Sequence, residues 1–360
     1  MTANETLGPE RDLLRLGTRR SALALAQSGM VARALEARHA GLRVTLVPRT
    51  TEGDRLPGDL GAAGGKGLFT RELERGLLDG SLDLAVHSLK DLPVALPPGL
   101  AVAAYPERED PRDVLVSEVA ADLDGLPEGA VVLTGALRRR AQILLRRPDL
   151  RIEPLRGNVD TRLEKWRASG AAALVLAGAG LARLGWLAAG AGAQAGPGRR
   201  RLPIHLLAPE VLLPAPGQGT LALEVRAGAA AERLCGALDH APTAAAAQAE
   251  RLVVAAFGGD CTLPLAAWAR WEDETAQSSG GASGFVPGGV AGPAPGSASS
   301  SVPSSARPCR LRLTALLATP DGRHVARGEA IGNEACEVAA ACVAALRRNG
   351  ADEVLARIRG

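Results

Sequence analysis

Through its first 225 residues the chain alternates short apolar runs with amphipathic stretches of helical period. Residues 13–18 and 82–87 have the length and apolar content of buried strands, and a helical pattern begins at Ser21 between them. Strands that alternate with helices in this way are typical of open α/β sheets. The alternation therefore predicts an α/β fold.

The same pattern starts again after Arg112, which predicts a second α/β domain. A strand predicted at 221–225 can return to the first domain, giving two crossing connections and so a hinge beside a cleft. We therefore predict two periplasmic-binding-protein-like α/β domains, 1–107 with 216–238 and 108–215. We expect residues 239–360 to form a smaller α+β third domain that carries a Ser/Gly/Pro/Ala-rich insertion at about 273–308, too polar to pack into a core.

Composition excludes several functional classes. Only 8 residues are aromatic and the net charge is +3, so neither base stacking nor counterion release is expected to dominate binding. The five cysteines are an odd number without a CxxC pair, which argues against a disulfide framework and a zinc site. With no apolar run suited to a signal or a span, we expect a cytoplasmic protein without a membrane partner or a metal.

Arginine recurs where a predicted strand runs into a helix. Ligands of open α/β sheets bind beyond the carboxyl ends of strands, where helix N-termini favour anions. Guanidinium groups there can bind carboxylates in a shared cleft. The alternative is a set of solvated helix faces in a chain with 39 Arg and 3 Lys. The arginines concerned are Arg19, Arg20, Arg138, Arg139, Arg140, Arg156, Arg162 and Arg183.

Two further motifs can carry chemistry. His87, Lys90 and Asp91 follow a buried strand, where a carboxylate can stabilise a developing cation by about 4 kcal/mol at 4 Å and an effective dielectric near 20. The alternative is an ion pair that ends the strand. Cys261 follows a Gly-Gly-Asp turn that exposes its thiol, which indicates either an attachment point or a small core residue.

Nine segments resemble a known enzyme family. They run in order from Leu16 to Ala267 and read LGTRRSALALAQ, GGKGLFTRELE, DLAVHSLKDLP, EREDPRDVLVS, LRRRAQILLRRPDL, LRGNVDTRL, AGLARLG, LPAPGQGTLALEVR and GGDCTLPLAA. Together they resemble the porphobilinogen deaminase, or hydroxymethylbilane synthase, family. The match at the carboxyl end is looser.

The resemblance implies a transferase of heme and other tetrapyrrole biosynthesis. Such an enzyme joins four porphobilinogen molecules head to tail, releases ammonia and hydrolyses the chain to hydroxymethylbilane. The resemblance also implies a dipyrromethane cofactor attached through Cys261. It assigns the catalytic carboxylate to Asp91, which would hold pyrrole N–H groups and stabilise the azafulvenium cation left when ammonia departs.

The remaining site residues are also implied by the resemblance. The cofactor-binding set is Cys261, Lys90, Asp91, Arg138, Arg139 and Thr134. The substrate-binding set is Arg19, Ser21, Arg156, Arg162, Arg183 and Gln218. Lys66 would belong to a mobile lid, and we expect a monomer with no nucleic-acid partner.

Four positions depart from the family pattern. Gly135 and Ala136 stand where relatives usually have two serines, so two hydroxyl contacts to a carboxylate are missing. Asp260 separates the glycine pair from Cys261, where an anion can raise the pKa of the thiol. Glu153 occupies a position that is often basic. None of these departures removes a core catalytic residue.

Two other hypotheses fit parts of the sequence. A two-domain solute-binding protein would share the α/β halves and the anion-binding arginines, but it would normally carry an export signal. A nucleic-acid binder would use the arginine runs at 138–140 and 199–201, which the small net charge disfavours.

Overall fold

The computed structural model describes residues 13–50, 70–188, 191–193, 202–258, 263–273 and 309–359. Two predicted site residues, Lys66 and Cys261, lie outside these ranges. So do nearly all of the insertion predicted at about 273–308 and most of a Gly/Ala/Arg-rich segment at 188–200.

The described residues form strands and helices in the predicted alternation. In chain order the strands are β1 Leu13–Arg19, β2 Arg43–Arg49, β3 Leu84–Ser88, β4 Leu100–Ala104, β5 Asp113–Val116, β6 Val131–Leu133, β7 Arg151–Glu153, β8 Ala173–Ala177, β9 Leu187–Ala188, β10 Ala191–Ala193, β11 Ile204–Leu206, β12 Leu221–Arg226, β13 Leu265–Asp273, β14 Cys309–Ala318 and β15 Val325–Gly332. The helices are α1 Ala22–Arg38, α2 Arg71–Leu78, α3 Leu137–Arg146, α4 Val159–Ser169, α5 Gly178–Arg183, α6 Ala230–Gly236, α7 Ala241–Ala256, α8 Ala335–Arg348 and α9 Ala351–Arg359.

The first sheet has the strand order β2-β1-β3-β12-β4. β1 pairs parallel with β2 and β3, whereas β12 pairs antiparallel with β3 and β4. The predicted return of the strand at 221–225 to this sheet is therefore confirmed. Helix α1 covers one face through a core that includes Leu16, Leu35 and Leu223, and α2 covers the other through Leu73 and Leu77. Each buried leucine contributes about 1.5–3 kcal/mol.

The second sheet has the order β11-β5-β8-β6-β7. β6 pairs parallel with β7 and β8, and β5 pairs antiparallel with β8 and β11. Its helices begin and end where local chemistry dictates: Asn158 caps α4 by accepting a 2.9 Å hydrogen bond from the Thr161 N–H, and Gly170 ends it at φ 69°. The chain therefore contains two mixed sheets with helices packed on them, and the predicted α/β fold class is confirmed.

Two chain crossings join the sheets, at 105–112 and 207–220. Gly219 lies in the second crossing at φ 89°, so close to the Glu109 carbonyl that a Cβ there would overlap it. The Glu109 N–H donates a 3.2 Å hydrogen bond to the Gly219 carbonyl, which pins the two crossings together. A side chain at position 219 would therefore be strained by both φ and space.

The third region is α+β, as predicted. Its antiparallel sheet β13-β14-β15 packs against α7 and α8. Glu250, fully buried on α7, accepts hydrogen bonds from Arg108 Nη1 at 2.7 Å, from the Gly217 N–H at 2.5 Å and from the Ala269 N–H at 2.7 Å. One buried carboxylate thus ties the third region to both crossings.

Among the residues that the structure describes, no helix is long and apolar enough to span a bilayer. The same residues contain no group of three or more His, Cys, Asp or Glu side chains arranged to hold a metal ion.

Candidate active site

A short 3-10 turn, Leu89–Asp91, follows β3 at the carboxyl edge of the first sheet. The buried Leu89 anchors the turn, and its N–H donates a 3.0 Å hydrogen bond to the Thr220 carbonyl of the second crossing. The turn therefore exposes Asp91, while Lys90 lies half-buried against that crossing. No ion pair joins Lys90 to Asp91, both of which the structure describes, so the predicted alternative of a strand-ending ion pair is not formed.

A cavity of about 70 Å³ opens beside this turn, between the end of β1, the start of α1 and β3. It brings together three predicted residues, Arg19, Ser21 and Asp91. Ser21 also starts α1, since its Oγ accepts a 3.3 Å hydrogen bond from the Ala24 N–H. The other polar residues that line it are Gln27, Thr70, His87 and Ser88.

Asp113, at the start of β5, is the charge centre of the second sheet. Its side chain is fully buried and accepts hydrogen bonds from Arg138 Nη2 at 2.7 Å and from Arg139 Nη2 at 2.8 Å. Burial disfavours the carboxylate, but the two guanidinium charges outweigh it and hold the pKa of Asp113 at about 2. Asp113 is therefore ionised at neutral pH.

Arg138 and Arg139 lie in the first turn of α3 and are themselves buried. Arg138 Nη1 donates a 2.5 Å hydrogen bond to the Leu213 carbonyl, and Arg139 Nη1 donates one of 3.1 Å to the Val175 carbonyl. Burial lowers the pKa of Arg138, and Asp113 opposes that shift. These two predicted residues are fixed rigidly, which is the condition for holding an anion at a defined point.

Gln218 connects this cluster to Lys90. Its Nε2 donates hydrogen bonds of 2.8 Å to Asp113 Oδ1 and 2.7 Å to the Pro111 carbonyl, and its Oε1 accepts one of 3.2 Å from Lys90 Nζ. Burial lowers the pKa of Lys90 to about 8 despite the opposing charge of Asp91. The cluster joined by these hydrogen bonds contains three cations, Arg138, Arg139 and Lys90, and one carboxylate, that of Asp113. Its net charge is therefore positive.

The other predicted arginines lie around these groups. Arg162 is half-buried on α4, where burial lowers its pKa and the charges of Arg139, Asp91 and Arg156 also act on it. Its Nε is buried and has no hydrogen-bond partner in the part of the chain that the structure describes. Arg156 is exposed just before α4. An unpartnered buried guanidinium nitrogen is costly unless a ligand supplies an acceptor.

Arg183, at the end of α5, reaches the second crossing. Its Nη2 donates a 2.6 Å hydrogen bond to the Gly219 carbonyl, and its Nε is buried with no partner within the described ranges. Burial lowers its pKa to about 10, and the charge of Glu109 opposes this. Arg183 therefore links α5 of the second sheet to the crossing that returns to the first.

Thr134 directly follows β6 and is buried. Its Oγ1 accepts a 3.3 Å hydrogen bond from the Ala136 N–H, which leads into α3. At the glycine that follows, a Cβ would come within 2.7 Å of the Leu155 carbonyl oxygen. A serine at position 135 would therefore need a shift of this loop.

Sequence reasoning missed two residues of this site. Asp113 lies in the segment EREDPRDVLVS, to which the resemblance assigns no site residue, and its position directly after Arg112 at the start of a buried strand was the available signal. Gln27 lines the cavity, yet only its position on a helix was predicted, whereas His87, which was predicted together with Lys90 and Asp91, also lines it. Lys66 and Cys261 lie outside the described residues, so their roles stay predictions.

The arrangement suits a ligand that carries several carboxylates and develops a positive charge. Fixed cations from two sheets converge on one side, and a single exposed carboxylate, that of Asp91, lies at the edge of the cavity. Cations that are held by protein acceptors bind anions without further reorganisation, and a fixed carboxylate stabilises a cation as it forms.

Three comparisons place this chain among known proteins. Residues 14–233 match the family model described as "Porphobilinogen deaminase, dipyromethane cofactor binding domain". The porphobilinogen deaminase of Ralstonia nicotianae is 41% identical over 350 residues, which cover 95% of this chain and 91% of the relative. That of Syntrophotalea carbinolica is 48% identical over 264 residues, which cover 73% and 80%. Among solved structures, the VFT2 domain of Bordetella pertussis BvgS is 16% identical with a TM-score of 0.37, over 63% of this chain and 86% of that domain.

Proposed function

Because the chain belongs to the porphobilinogen deaminase family, we infer that it is a transferase, a hydroxymethylbilane synthase of tetrapyrrole biosynthesis that joins porphobilinogen molecules head to tail and releases ammonia. The observation that carries this function on the structural side is the exposed Asp91 beside a buried cluster of cations. Porphobilinogen has two carboxylates and an amino group. Recognition of porphobilinogen therefore needs cations beside its carboxylates and a protein carboxylate near its amino group.

The family model names a dipyrromethane cofactor, and the described residues fit such a group. Each ring of a dipyrromethane carries two carboxylates, and the buried Nε atoms of Arg162 and Arg183 have no acceptor among the residues that the structure describes. We propose that Lys90, Arg138 and Arg139 hold its carboxylates, together with Thr134. When bound, the dipyrromethane supplies the primer to which new rings are added.

Asp91 has the catalytic role in this proposal. Its carboxylate is exposed at the cavity edge, where it can accept hydrogen bonds from pyrrole N–H groups and stabilise positive charge after ammonia leaves. The substrate carboxylates would be held by Arg19, Ser21, Arg156, Arg162, Arg183 and Gln218. Each charge-assisted hydrogen bond of this kind contributes about 1.5–3 kcal/mol.

The covalent attachment through Cys261 and the lid role of Lys66 belong to the proposal as well. Both follow from the motifs GGDCTLPLAA and GGKGLFTRELE. The four described cysteines, Cys235, Cys309, Cys336 and Cys342, are free thiols, which agrees with a reducing compartment. We propose a cytoplasmic monomer without a nucleic-acid partner, with domain limits at 1–107 plus 216–238, 108–215 and 239–360.

Intact-protein mass spectrometry tests the function and the attachment together. Full-length protein exposed to porphobilinogen should gain the mass of a dipyrromethane, which Ehrlich's reagent should stain, and Cys261→Ser should fold but gain nothing. Cys309→Ser and Cys336→Ser, which remove exposed thiols, are the matched controls and should load normally. A wild-type chain that stays at its unmodified mass, or a Cys261→Ser chain that still loads, would contradict the proposal.

A further inference from the structure

His87 and Glu224 form a buried ion pair, and the histidine also lines the cavity that contains Asp91. Nε2 of His87 lies 2.9 Å from Oε2 of Glu224, and the two side chains are 5% and 0% exposed. They lie on the antiparallel neighbours β3 and β12, where Glu224 is paired with Ala85. Since Ala85 packs under α2, the pair occupies the sheet face that α2 covers.

The pair fixes which nitrogen of the ring exchanges a proton. An ionised carboxylate only accepts hydrogen bonds, so the proton facing Glu224 resides on Nε2 of His87. Nδ1 is then the nitrogen that gains and loses a proton. Nδ1 makes no hydrogen bond to any residue within the described ranges, and His87 is one of the residues that line the cavity.

Charged groups surround the His87–Glu224 pair. The second oxygen of Glu224, Oε1, is buried and has no hydrogen-bond partner among the residues that the structure describes. Glu74 faces the pair from α2; burial raises the pKa of Glu74, and the charge of Glu224 raises it further. On the other side, the charge of Arg251 of α7 acts on Glu224. Within the cavity, Arg19 and Asp91 are the charged neighbours.

We propose that His87 delivers the proton to the amino group that leaves as ammonia, and that Glu224 is its positioning residue. The proposal rests on the function proposed above. In this step the carbon–nitrogen bond of the substrate breaks, its electron pair goes to nitrogen, and the Nδ1 proton moves to that nitrogen. The carbon left positive faces the carboxylate of Asp91. Formation of the carbon–carbon bond releases one ring proton, which returns His87 to its protonated form, so each addition is proton-neutral.

His87→Gln is the sharpest variant. The glutamine amide nitrogen can replace Nε2 as the donor to Glu224, but nothing replaces the titrating Nδ1. We expect the variant to load cofactor and keep its KM, while kcat falls by about 10²-fold or more, as for the loss of a general acid. The alkaline decline of kcat, caused by deprotonation of His87, should disappear from the pH profile.

Two further variants separate this role from a structural one. Glu224→Gln removes the opposite charge that favours the protonated ring, so the alkaline decline of kcat should move to lower pH. His39→Gln is the matched control, because His39 Nε2 also makes a single 2.9 Å hydrogen bond, to the Leu234 carbonyl, but lies away from the cavity. Its kcat and pH profile should match the wild type.

A readout without turnover comes from ¹⁵N-histidine NMR of the full chain, in which the 5 histidines can be resolved and His87 assigned by its loss in His87→Gln. We expect Nε2 to stay protonated while Nδ1 titrates. A His87 that carries its proton on Nδ1 and does not titrate overturns the proposal; if His87→Gln fails to fold, the missing signal in His87→Asn supplies the assignment. So does a His87→Gln enzyme with unchanged kcat and pH profile. In both cases normal cofactor loading of the wild type would leave the transferase function standing.

Discussion

The side-chain amide of Gln218 donates a 2.8 Å hydrogen bond to Oδ1 of Asp113, the carboxylate that also binds two arginines. Gln218 belongs to the crossing that returns to the first sheet, and Asp113 begins the first strand of the second. Through the same amide, Lys90 of the first sheet contacts this cluster. Gln218 therefore connects Lys90 of the first sheet to the Asp113 carboxylate of the second sheet.

Acidification should expose the contribution of Asp113 to stability. Its pKa is about 2 in the folded protein and about 3.9 in an unfolded chain, so the stabilisation is present in full above pH 4 and is lost as the pH falls through about 2. Asp113→Asn should lower the free energy of unfolding at pH 7 by about 3–5 kcal/mol, since it leaves buried arginines unpaired. In urea denaturation, the gap between variant and wild type should close toward pH 2.

Asp149→Asn is the control for that experiment. The pKa of Asp149 is also held at about 2, by its hydrogen bond with Arg147, but this pair is only half-buried, with side chains 28% and 18% exposed, whereas Asp113 is fully buried. Its removal should change stability less, because water and salt screen a pair that is partly exposed. Equal losses in the two variants would mean that burial does not decide the strength of the Asp113 cluster.

Lys90 should lose its charge within the working pH range of many enzymes. Burial lowers its pKa to about 8, and a depressed lysine pKa means that the folded chain releases a proton that an unfolded chain still holds. We expect loading of the dipyrromethane, followed by intact-protein mass spectrometry, to slow above pH 8 as the cation disappears, and to slow less in Lys90→Arg, which stays charged. NMR of labelled lysines should show one signal that titrates near pH 8 and is absent in Lys90→Arg; titration above pH 10 would refute the assignment.

Asp91→Asn should separate binding from catalysis. The amide still accepts one hydrogen bond but cannot stabilise a cation, so cofactor should load while turnover falls by about 10²–10³-fold. Single-turnover release of ammonia is the direct measurement. Asp124→Asn, at an exposed aspartate that pairs with Arg146, is the control and should retain full activity. Near-normal turnover in Asp91→Asn would remove the catalytic role from this residue.

Gly322→Ala should test how the third region supports the site. Gly322 has φ 74°, and a Cβ there would lie 2.5 Å from the Ala141 carbonyl oxygen and 2.6 Å from the Leu145 nitrogen, both on α3. Gly129 has a similar φ of 68° but open space around it. Gly129→Ala should therefore show only the backbone strain, about 1–2 kcal/mol.

In Gly322→Ala the clash adds to the strain and pushes on the helix that carries Arg138 and Arg139. We expect a larger loss of unfolding free energy than in Gly129→Ala, and slower or incomplete cofactor loading by mass spectrometry. If both variants lost the same stability and loaded equally, the contact between this turn and α3 would have no part in positioning the arginines.

Much of the fold could be predicted from the sequence. Hydrophobic periodicity located β1, α1, β8 and the return of β12, because apolar spacing reports directly which segments are buried. Boundaries were less accurate: the strand predicted at 82–87 runs from Leu84 to Ser88. A strand of five residues gives only a short periodic signal, so its ends are poorly defined by sequence.

Residue identity and order along the chain were sufficient for the α/β class, for the arginines at strand ends and for the carboxylate at position 91, since each depends on local pattern. Tertiary structure alone decided that Asp113 neutralises part of that charge, that Gln218 couples it to Lys90, and that His87 meets Glu224 beside the cavity. These contacts join residues 25 to 137 positions apart. These contacts are strong because burial removes water from the charged groups. Burial of this kind depends on the tertiary structure and cannot be predicted from a local sequence pattern.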